Sequence, residues 1–211
     1  MRNQFMHLPG WLSALLSGML LAACATAQVD QAQLSVVRSV FIEPIKQPQI
    51  RMLSGLYDWA PSGGPSLHDL LTARSLDLAT ETRTALASAF AGDGYEVSKS
   101  AAAADATVNV EITWANYFAN PPIVGGGCTP TALFDISMKA KQTGTTIFRR
   151  EYRLQNGGNA GITGHVILPS DAKYELADCG ALWTQPDVPI EAFRAAITMF
   201  KNAVAAEVTR R

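Results

Sequence analysis

The sequence has few of the residues that usually perform catalysis or bind metals. Its 211 residues include only three cysteines and three histidines, and none of these lie at the spacing of a zinc-binding motif. No Gly-x-Ser-x-Gly sequence is present, and Gly125-Gly126-Gly127 is not followed by the lysine of a phosphate-binding loop. These absences predict a protein without enzyme activity, cofactor or metal, and they leave a hydrolase as a distant alternative.

An excess of basic or of acidic residues is also lacking. The 17 basic and 18 acidic residues give a formal net charge of −1, which indicates no nucleic-acid partner.

Long apolar runs are absent as well, because the stretch from Trp11 to Leu21 is well short of the roughly 20 residues of a membrane-spanning helix. A retained transmembrane anchor is therefore the weaker interpretation of the N-terminus.

The first 23 residues have the three parts of an export signal. Arg2 supplies the positive charge, the apolar run follows, and small residues precede Cys24. The junction Leu21-Ala22-Ala23-Cys24 resembles the lipobox of bacterial lipoproteins, which implies cleavage before Cys24 and lipid on that residue. An ordinary signal peptide cut after Ala27 is the alternative.

Lipid on Cys24 would anchor the chain to a membrane permanently, since two acyl chains already suffice. In lipoproteins of this type, Ala25 as the second mature residue is typical of delivery to the outer membrane, facing the periplasm. Residues 24–33 have no periodic apolar face and are interpreted as a tether, and residues 34–211 are interpreted as one domain.

Two cysteines remain after lipidation of Cys24. Cys128 and Cys179 lie in segments rich in glycine or proline, and both would enter an oxidising compartment. We therefore predict a disulfide between them, with two free thiols as the alternative. No Cys-x-x-Cys spacing indicates a redox-active pair.

The pattern of apolar residues predicts an α+β fold. An antiparallel sheet of four to five strands carries two amphipathic helices packed on one face. The predicted elements, in order, are a strand at 34–42, an irregular loop at 44–66, a helix from Leu67 or Leu76 to Ala91, strands at 95–97, 106–114, 134–140 and 148–154, a short strand at 165–168, and a helix at 190–209.

The pairing of two of these strands can be predicted from their apolar faces. A three-residue loop at 143–145 places Ala140 opposite Phe148 and Asp135 opposite Arg153, with apolar residues on one side. Arg150 then lies on the apolar side, which that pairing does not explain.

One stretch of the domain resembles a known group of envelope proteins. It comprises Gly94-Tyr95-Glu96-Val97, followed by Ala104-Asp105 and the alternating strand to Ile112. This pattern is similar to that of penicillin-binding-protein activators, the curli secretion lipoprotein and the auxiliary lipoproteins of lipid-transport ABC systems. The resemblance extends over about residues 34–155 and implies the fold and an accessory role.

Aromatic residues in loops are the candidate binding residues. Trp59, Trp183 and Tyr57 fall outside the predicted strands and helices and are interpreted as a possible binding surface, although burial under the loops is the alternative. Trp114 is interpreted as core because it continues the apolar face of its strand.

These features together predict a non-catalytic accessory or assembly factor that binds another envelope protein. The alternative is a module for a small ligand or lipid, bound in a groove between the helices and the loops at 44–66 and 155–189.

Overall fold

The centre of the fold is a set of three long antiparallel strands. The structure, a computed structural model, describes residues 27–54, 57–120, 126–155 and 165–209, so the predicted signal peptide and Cys24 lie outside the described residues. Within these ranges nine strands form one sheet. They are β1 (Gln28–Val29), β2 (Ser39–Ile42), β3 (Ile50–Ser54), β4 (Tyr57–Asp58), β5 (Glu96–Val97), β6 (Ala106–Ala119), β7 (Cys128–Ala140), β8 (Thr146–Gln155) and β9 (Val166–Pro169).

Short strands flank the long β6–β7–β8 centre on both sides. The first half of one edge of β6 pairs with β2, and the second half of the same edge pairs with β3. The outer edge of β8 pairs with β1 near its start and with β9 near its end. Outside these lie β5, which pairs with β2, and β4, which pairs with β3.

Five α-helices accompany the sheet in the described residues. They are α1 (Gln31–Val36), α2 (Leu67–Ala73), α3 (Leu78–Gly92), α4 (Ala181–Thr184) and α5 (Asp187–Val208), with a 3-10 turn at Ala172–Tyr174. The two long helices, α3 and α5, pack side by side over the sheet, as the sequence predicts. A bidentate ion pair between Arg194 and Glu81 joins them at the surface.

The core lies between the sheet and the two long helices. On α5 the apolar stripe is buried along its length, and Phe200 stacks on Phe134 of β7 with ring centroids 4.6 Å apart. Tyr152 of β8 contacts the same ring edge-on at 5.2 Å. Alternation along β6 buries Val108, like its neighbours of even number, against the helices and leaves the other face of the sheet uncovered by the long helices.

Asp105 explains why an aspartate precedes the long strand β6. Its carboxylate accepts hydrogen bonds from the backbone N–H groups of Arg38 (2.9 Å) and Ser39 (3.0 Å), at the start of β2. These donors lower the pKa of Asp105 below its usual range. The Ala-Asp pair of the sequence thus joins the first residue of β6 to the neighbouring parallel strand.

Several predicted features of the fold are wrong. The sheet has nine described strands rather than four to five, and it is mixed, because β2 and β3 run parallel to β6 and β9 runs parallel to β8. The predicted loop at 44–66 contains β3 and β4. Of the two predicted starts of the first long helix, Leu67 is wrong and Leu76 is close, because Ser75, with a positive φ of 62°, separates α2 from α3.

The end of the predicted tether belongs to the folded domain. Residues 28 and 29 pair with β8, and Gln31–Val36 forms α1, capped by the side chain of Asp30. Leu34 is therefore a buried helix residue, whereas we predicted a strand there. The folded domain therefore includes residues 28–33, which we predicted to be tether.

The register between β7 and β8 differs from the prediction by two residues. Met138 pairs with Phe148 and Asp135 pairs with Glu151, since the connecting loop is five residues long and the register shifts beside Met138. The apolar faces are nevertheless as predicted, because a shift of two residues keeps every side chain on its side.

Arg150, unexplained by the predicted pairing, has a partner on α5. It forms an ion pair with Glu207, which also accepts a hydrogen bond from the hydroxyl of Tyr152. Burial, together with the adjacent carboxylate, raises the pKa of Tyr152, so the phenol stays protonated and donates. Arg150 and Glu207 therefore fasten the end of α5 to β8.

The predicted disulfide is present. Cys128, the first residue of β7, is bonded to Cys179, and the two Cα atoms are 5.3 Å apart. Two backbone hydrogen bonds between Cys128 and Leu176 support the link. Together they hold the segment before α4 against the start of β7.

Candidate functional site

The two ends of the sheet differ in what they carry. We call the end at which β1 pairs with β8 the proximal end, because it holds the first described residues, and the end at the β3–β4 hairpin the distal end. Through the strand pairings, Val29 is level with Val108 of β6, whereas Leu53 is level with Phe118. Ten residues of strand separate these levels, a distance of about 30 Å.

The distal end carries three aromatic residues, Tyr57, Trp59 and Trp183, here called the aromatic patch. Tyr57 is 79% exposed and Trp59 40% exposed, while Trp183 is partly buried. The rings of Trp59 and Trp183 meet edge-to-face, with centroids 5.1 Å apart. The structure thus brings together two of the predicted binding residues, which lie 124 positions apart in the chain.

Hydrogen bonds hold the members of the aromatic patch in place. The indole N–H of Trp183 donates to the carbonyl of Pro65 at 2.9 Å, which joins α4 to the segment before α2. The backbone N–H of Trp59 donates to the carbonyl of Met52 at 2.9 Å. Because both tryptophans are fixed by the fold, little conformational entropy remains to be lost when a partner binds them.

A second feature, here called the edge groove, lies beside β6. It has a volume of about 540 Å³ and lies between residues 46–49 and the middle of β6. Lys46, Arg51 and Trp114 contribute side chains to it. The sequence pattern gave no indication of this groove, because it arises from a gap between β2 and β3 rather than from one segment.

Trp114 is not a core residue, contrary to the prediction. The register between β6 and β7 shifts between Ile112 and Trp114, and Thr113 is the extra residue of the resulting β-bulge. Trp114 therefore lies on the face of the sheet away from α3 and α5. There the guanidinium of Arg153 lies over its ring, 5.7 Å from the centroid.

Three carboxylates lie side by side on that same face. Glu111, Asp135 and Glu151 occupy one row across β6, β7 and β8. Burial raises the pKa of Asp135, and the negative charges of Glu151 and Glu111 raise it further, while Arg149 opposes them. His165 contacts the row through Nδ1, which is 2.5 Å from Oε2 of Glu151.

The raised pKa of Asp135 predicts that its charge destabilises the fold at neutral pH. A carboxyl whose pKa is higher in the folded state binds its proton more tightly there, so folding becomes more favourable as the pH falls. We expect Asp135→Asn to raise the free energy of unfolding at pH 7 by about 0.5 kcal/mol, within the range for opposed like charges across strands.

Chemical denaturation at several pH values measures this effect. The gain from Asp135→Asn should shrink as the pH falls and vanish well below the usual Asp pKa of about 3.9, where the wild-type carboxyl is protonated in both states. Glu191→Gln is the matched control, because Glu191 is exposed on α5 and has no ion-pair partner within the described ranges. An Asn variant less stable than the wild type at pH 7 would contradict the prediction.

The two histidines of the domain do not meet each other. Nδ1 of His68 accepts a hydrogen bond from the backbone N–H of Ile50 at 3.3 Å, and His165 lies at the carboxylate row. Across the described residues, no group of three or more His, Cys, Asp or Glu side chains is arranged to hold a metal ion.

None of the helices described is both long and apolar enough to cross a membrane.

Comparison with known proteins finds similar structures but no similar sequence. No protein-family model matches the chain, and no curated protein matches it in sequence. Among solved structures, a Xanthomonas campestris protein of the DUF330 family is 11% identical, covers 86% of this chain and 89% of its own, and has a TM-score of 0.49.

Two further solved structures are similar over parts of the chain. The Neisseria meningitidis lipoprotein GNA1162 is 11% identical over 60% of this chain and 88% of its own, with a TM-score of 0.31. The C-terminal domain of LpoB from Salmonella enterica is 15% identical over 68% of this chain and 94% of its own, with a TM-score of 0.18. At these scores the likenesses carry no inference about function.

Proposed function

We propose that this protein is a non-catalytic accessory lipoprotein, held by lipid on Cys24 at the periplasmic face of the outer membrane, which binds another envelope protein. The observation that carries the proposal is the position of the aromatic patch. Exposed aromatic side chains lie at the distal end, where Trp59 packs on Trp183, about 30 Å along the sheet from the strand that follows the tether.

The length of the tether supports this orientation. Three residues separate Cys24 from Gln28, and the four Cα–Cα steps between them can span at most about 14 Å. Gln28 and Val29 are paired with β8, and the N–H of Asp30 donates to the carbonyl of Ile147 at 2.8 Å. Lipid on Cys24 would therefore keep the proximal end close to the headgroups and leave the distal end accessible from the periplasm.

The composition of the aromatic patch favours a protein partner. Tryptophan and tyrosine are enriched among the residues that dominate binding energy at protein interfaces, since each offers a large apolar area with a polar group. Asp58, between the two exposed aromatics, and Arg51 supply a polar rim. The patch thus has the apolar centre and polar border typical of a docking site.

The alternative of a small-ligand or lipid module required a groove between the two loops and the helices. In the structure the two segments contact each other where Trp183 donates to Pro65. Trp59 packs on Trp183 at the same place. These contacts join the two segments at that point, which supports protein binding over a ligand groove there.

Affinity capture tests the proposal. The full chain, crosslinked reversibly in cells and purified with a mild detergent, should recover one defined envelope protein, identified by mass spectrometry. We expect the double variant Tyr57→Ala with Trp59→Ala to recover at least ten-fold less of it, since truncation of two such residues typically costs more than the 1.4 kcal/mol that corresponds to a ten-fold change.

Val36→Ala provides the matched control. Val36 is 68% exposed but belongs to α1 near the proximal end, so its truncation should leave recovery unchanged. Thermal unfolding of each variant shows whether the fold is retained. Equal recovery by the wild type and the Tyr57/Trp59 variant, or recovery of lipid or glycan alone, would reject the proposed function.

A further inference from the structure

The edge groove exists because two strands share one edge of β6 without meeting. β2 pairs with β6 up to Val108, and β3 pairs with it from Ala115 onward. The chain between β2 and β3 detaches from β6 after Glu43, whose N–H donates to the carbonyl of Val108 at 2.9 Å. Among the described residues, no backbone hydrogen bond joins residues 44–49 to β6. A stretch of β6 therefore forms an open sheet edge inside the fold.

The backbone of Val110 and Ile112 lines this open edge. Both side chains are only 5% exposed and point into the core, yet both residues line the groove. Alternate residues of a strand direct their N–H and C=O groups to the same edge, and Val108 directs its carbonyl to β2. Val110 and Ile112 thus present backbone donors and acceptors to the groove, which favours a ligand with backbone groups of its own.

The side chains of the groove favour negative charge in that ligand. Lys46 is exposed and has no ion-pair partner within the described part of the chain. Arg51 has only a weak pair with Asp58, whose nearest oxygen is 3.8 Å away, and both side chains are more than half exposed. Trp114 adds an apolar surface beside these cations, and Glu111 is the single acidic residue of the lining.

We infer that the edge groove binds an extended peptide segment bearing acidic side chains, which adds a short strand to β6 between β2 and β3. The open stretch from Val108 to Ala115 is about 20 Å long, since Thr113 is the extra residue of the bulge, and holds a peptide of about six residues. Backbone hydrogen bonds to Val110 and Ile112 give affinity, and Lys46 and Arg51 select for acidic residues. This site goes beyond the proposed function, because it requires no envelope partner to be present.

Three synthetic probes test the inference on the full chain in detergent. The first is a fluorescein-labelled peptide of six residues in which valine alternates with glutamate. The second has lysine in place of every glutamate, and the third has proline at its two central positions, which removes the backbone donors. Fluorescence anisotropy measures binding, and hydrogen exchange measures protection of individual amides.

We expect the acidic peptide to bind at least ten-fold more tightly than the other two probes and to slow amide exchange at Val110 and Ile112. The variant Lys46→Glu with Arg51→Glu should bind it at least ten-fold more weakly. Lys99→Glu with Lys139→Glu changes the charge equally outside the groove and should bind as the wild type does.

The results also separate this inference from the proposed function. Tyr57→Ala with Trp59→Ala should retain peptide binding even though it loses the envelope partner. Equal binding of the acidic and lysine peptides, or binding without slower exchange at Val110 and Ile112, would overturn the inference. So would the absence of binding by the acidic peptide to a folded wild-type chain.

Discussion

Replacing Cys128 and Cys179 together with alanine should lower the free energy of unfolding by about 4 kcal/mol. The bond joins residues 51 positions apart, and crosslinking a loop of that length removes a corresponding amount of conformational entropy from the unfolded chain. Alanine is the better replacement, because Cys128 is 1% exposed and serine would bury a hydroxyl group. Urea denaturation of the wild type and the double variant measures the difference.

The same loss should follow when the wild-type protein is reduced with dithiothreitol before denaturation. Agreement between the reduced wild type and the alanine variant would assign the effect to the bond rather than to the changed side chains. Trp183 follows Cys179 closely, so the indole contact with Pro65 should also loosen. A loss below 1 kcal/mol by both routes would contradict the prediction.

Cys24→Ser should abolish labelling of the protein by radioactive palmitate and release it from the membrane fraction. Each buried methylene of an acyl chain contributes about 0.8 kcal/mol to membrane binding, so loss of two or three chains removes stable attachment. Labelling followed by gel autoradiography, together with fractionation of the cells, measures both effects.

The disulfide variant is the matched control for this experiment. Cys128→Ala with Cys179→Ala removes the other two cysteines of the chain and keeps Cys24, so it should label as the wild type does. Equal labelling of the wild type and Cys24→Ser would show that lipid is attached elsewhere or not at all. That result would remove the anchor on which the proposed orientation depends.

Long periodic segments are the part of the fold that could be predicted from the sequence. The alternation in β6, the apolar rows of β7 and β8, and the stripe along α5 are each confirmed. The confirmed apolar residues number four in β6, four in β7, three in β8 and six in α5, and most residues between them are polar or charged. Such patterns are reliable because burial of one face decides the structure.

The short strands predicted at 95–97 and 165–168 are confirmed as β5 and β9, but the two-residue strands β1 and β4 could not be predicted, since two residues carry no period. Gln28–Val29 and Tyr57–Asp58 are strands only because β8 and β3 offer them an edge. The register of β7 with β8 fails for a related reason. A shift of two residues leaves all faces unchanged, so the apolar pattern cannot distinguish the two pairings.

The residues of the candidate site could be predicted from the sequence, but the contact between them could not. Aromatic residues in loops identify Trp59 and Trp183, but their contact depends on how α4 and β4 meet at the distal end. The prediction for Trp114 fails because one extra residue, Thr113, turns the following side chain to the other face. The edge groove depends on where two separate strands end, which no single segment of sequence encodes.

Site-specific photocrosslinking in living cells is the most direct test of the central claim. A photoreactive phenylalanine analogue is placed at Tyr57 in the aromatic patch or at Val36 near the proximal end, two exposed positions at opposite ends of the sheet. We expect irradiation to join position 57, and not position 36, to the envelope protein recovered by affinity capture. Crosslinking of that protein at position 36 alone, or at neither position, would contradict the account.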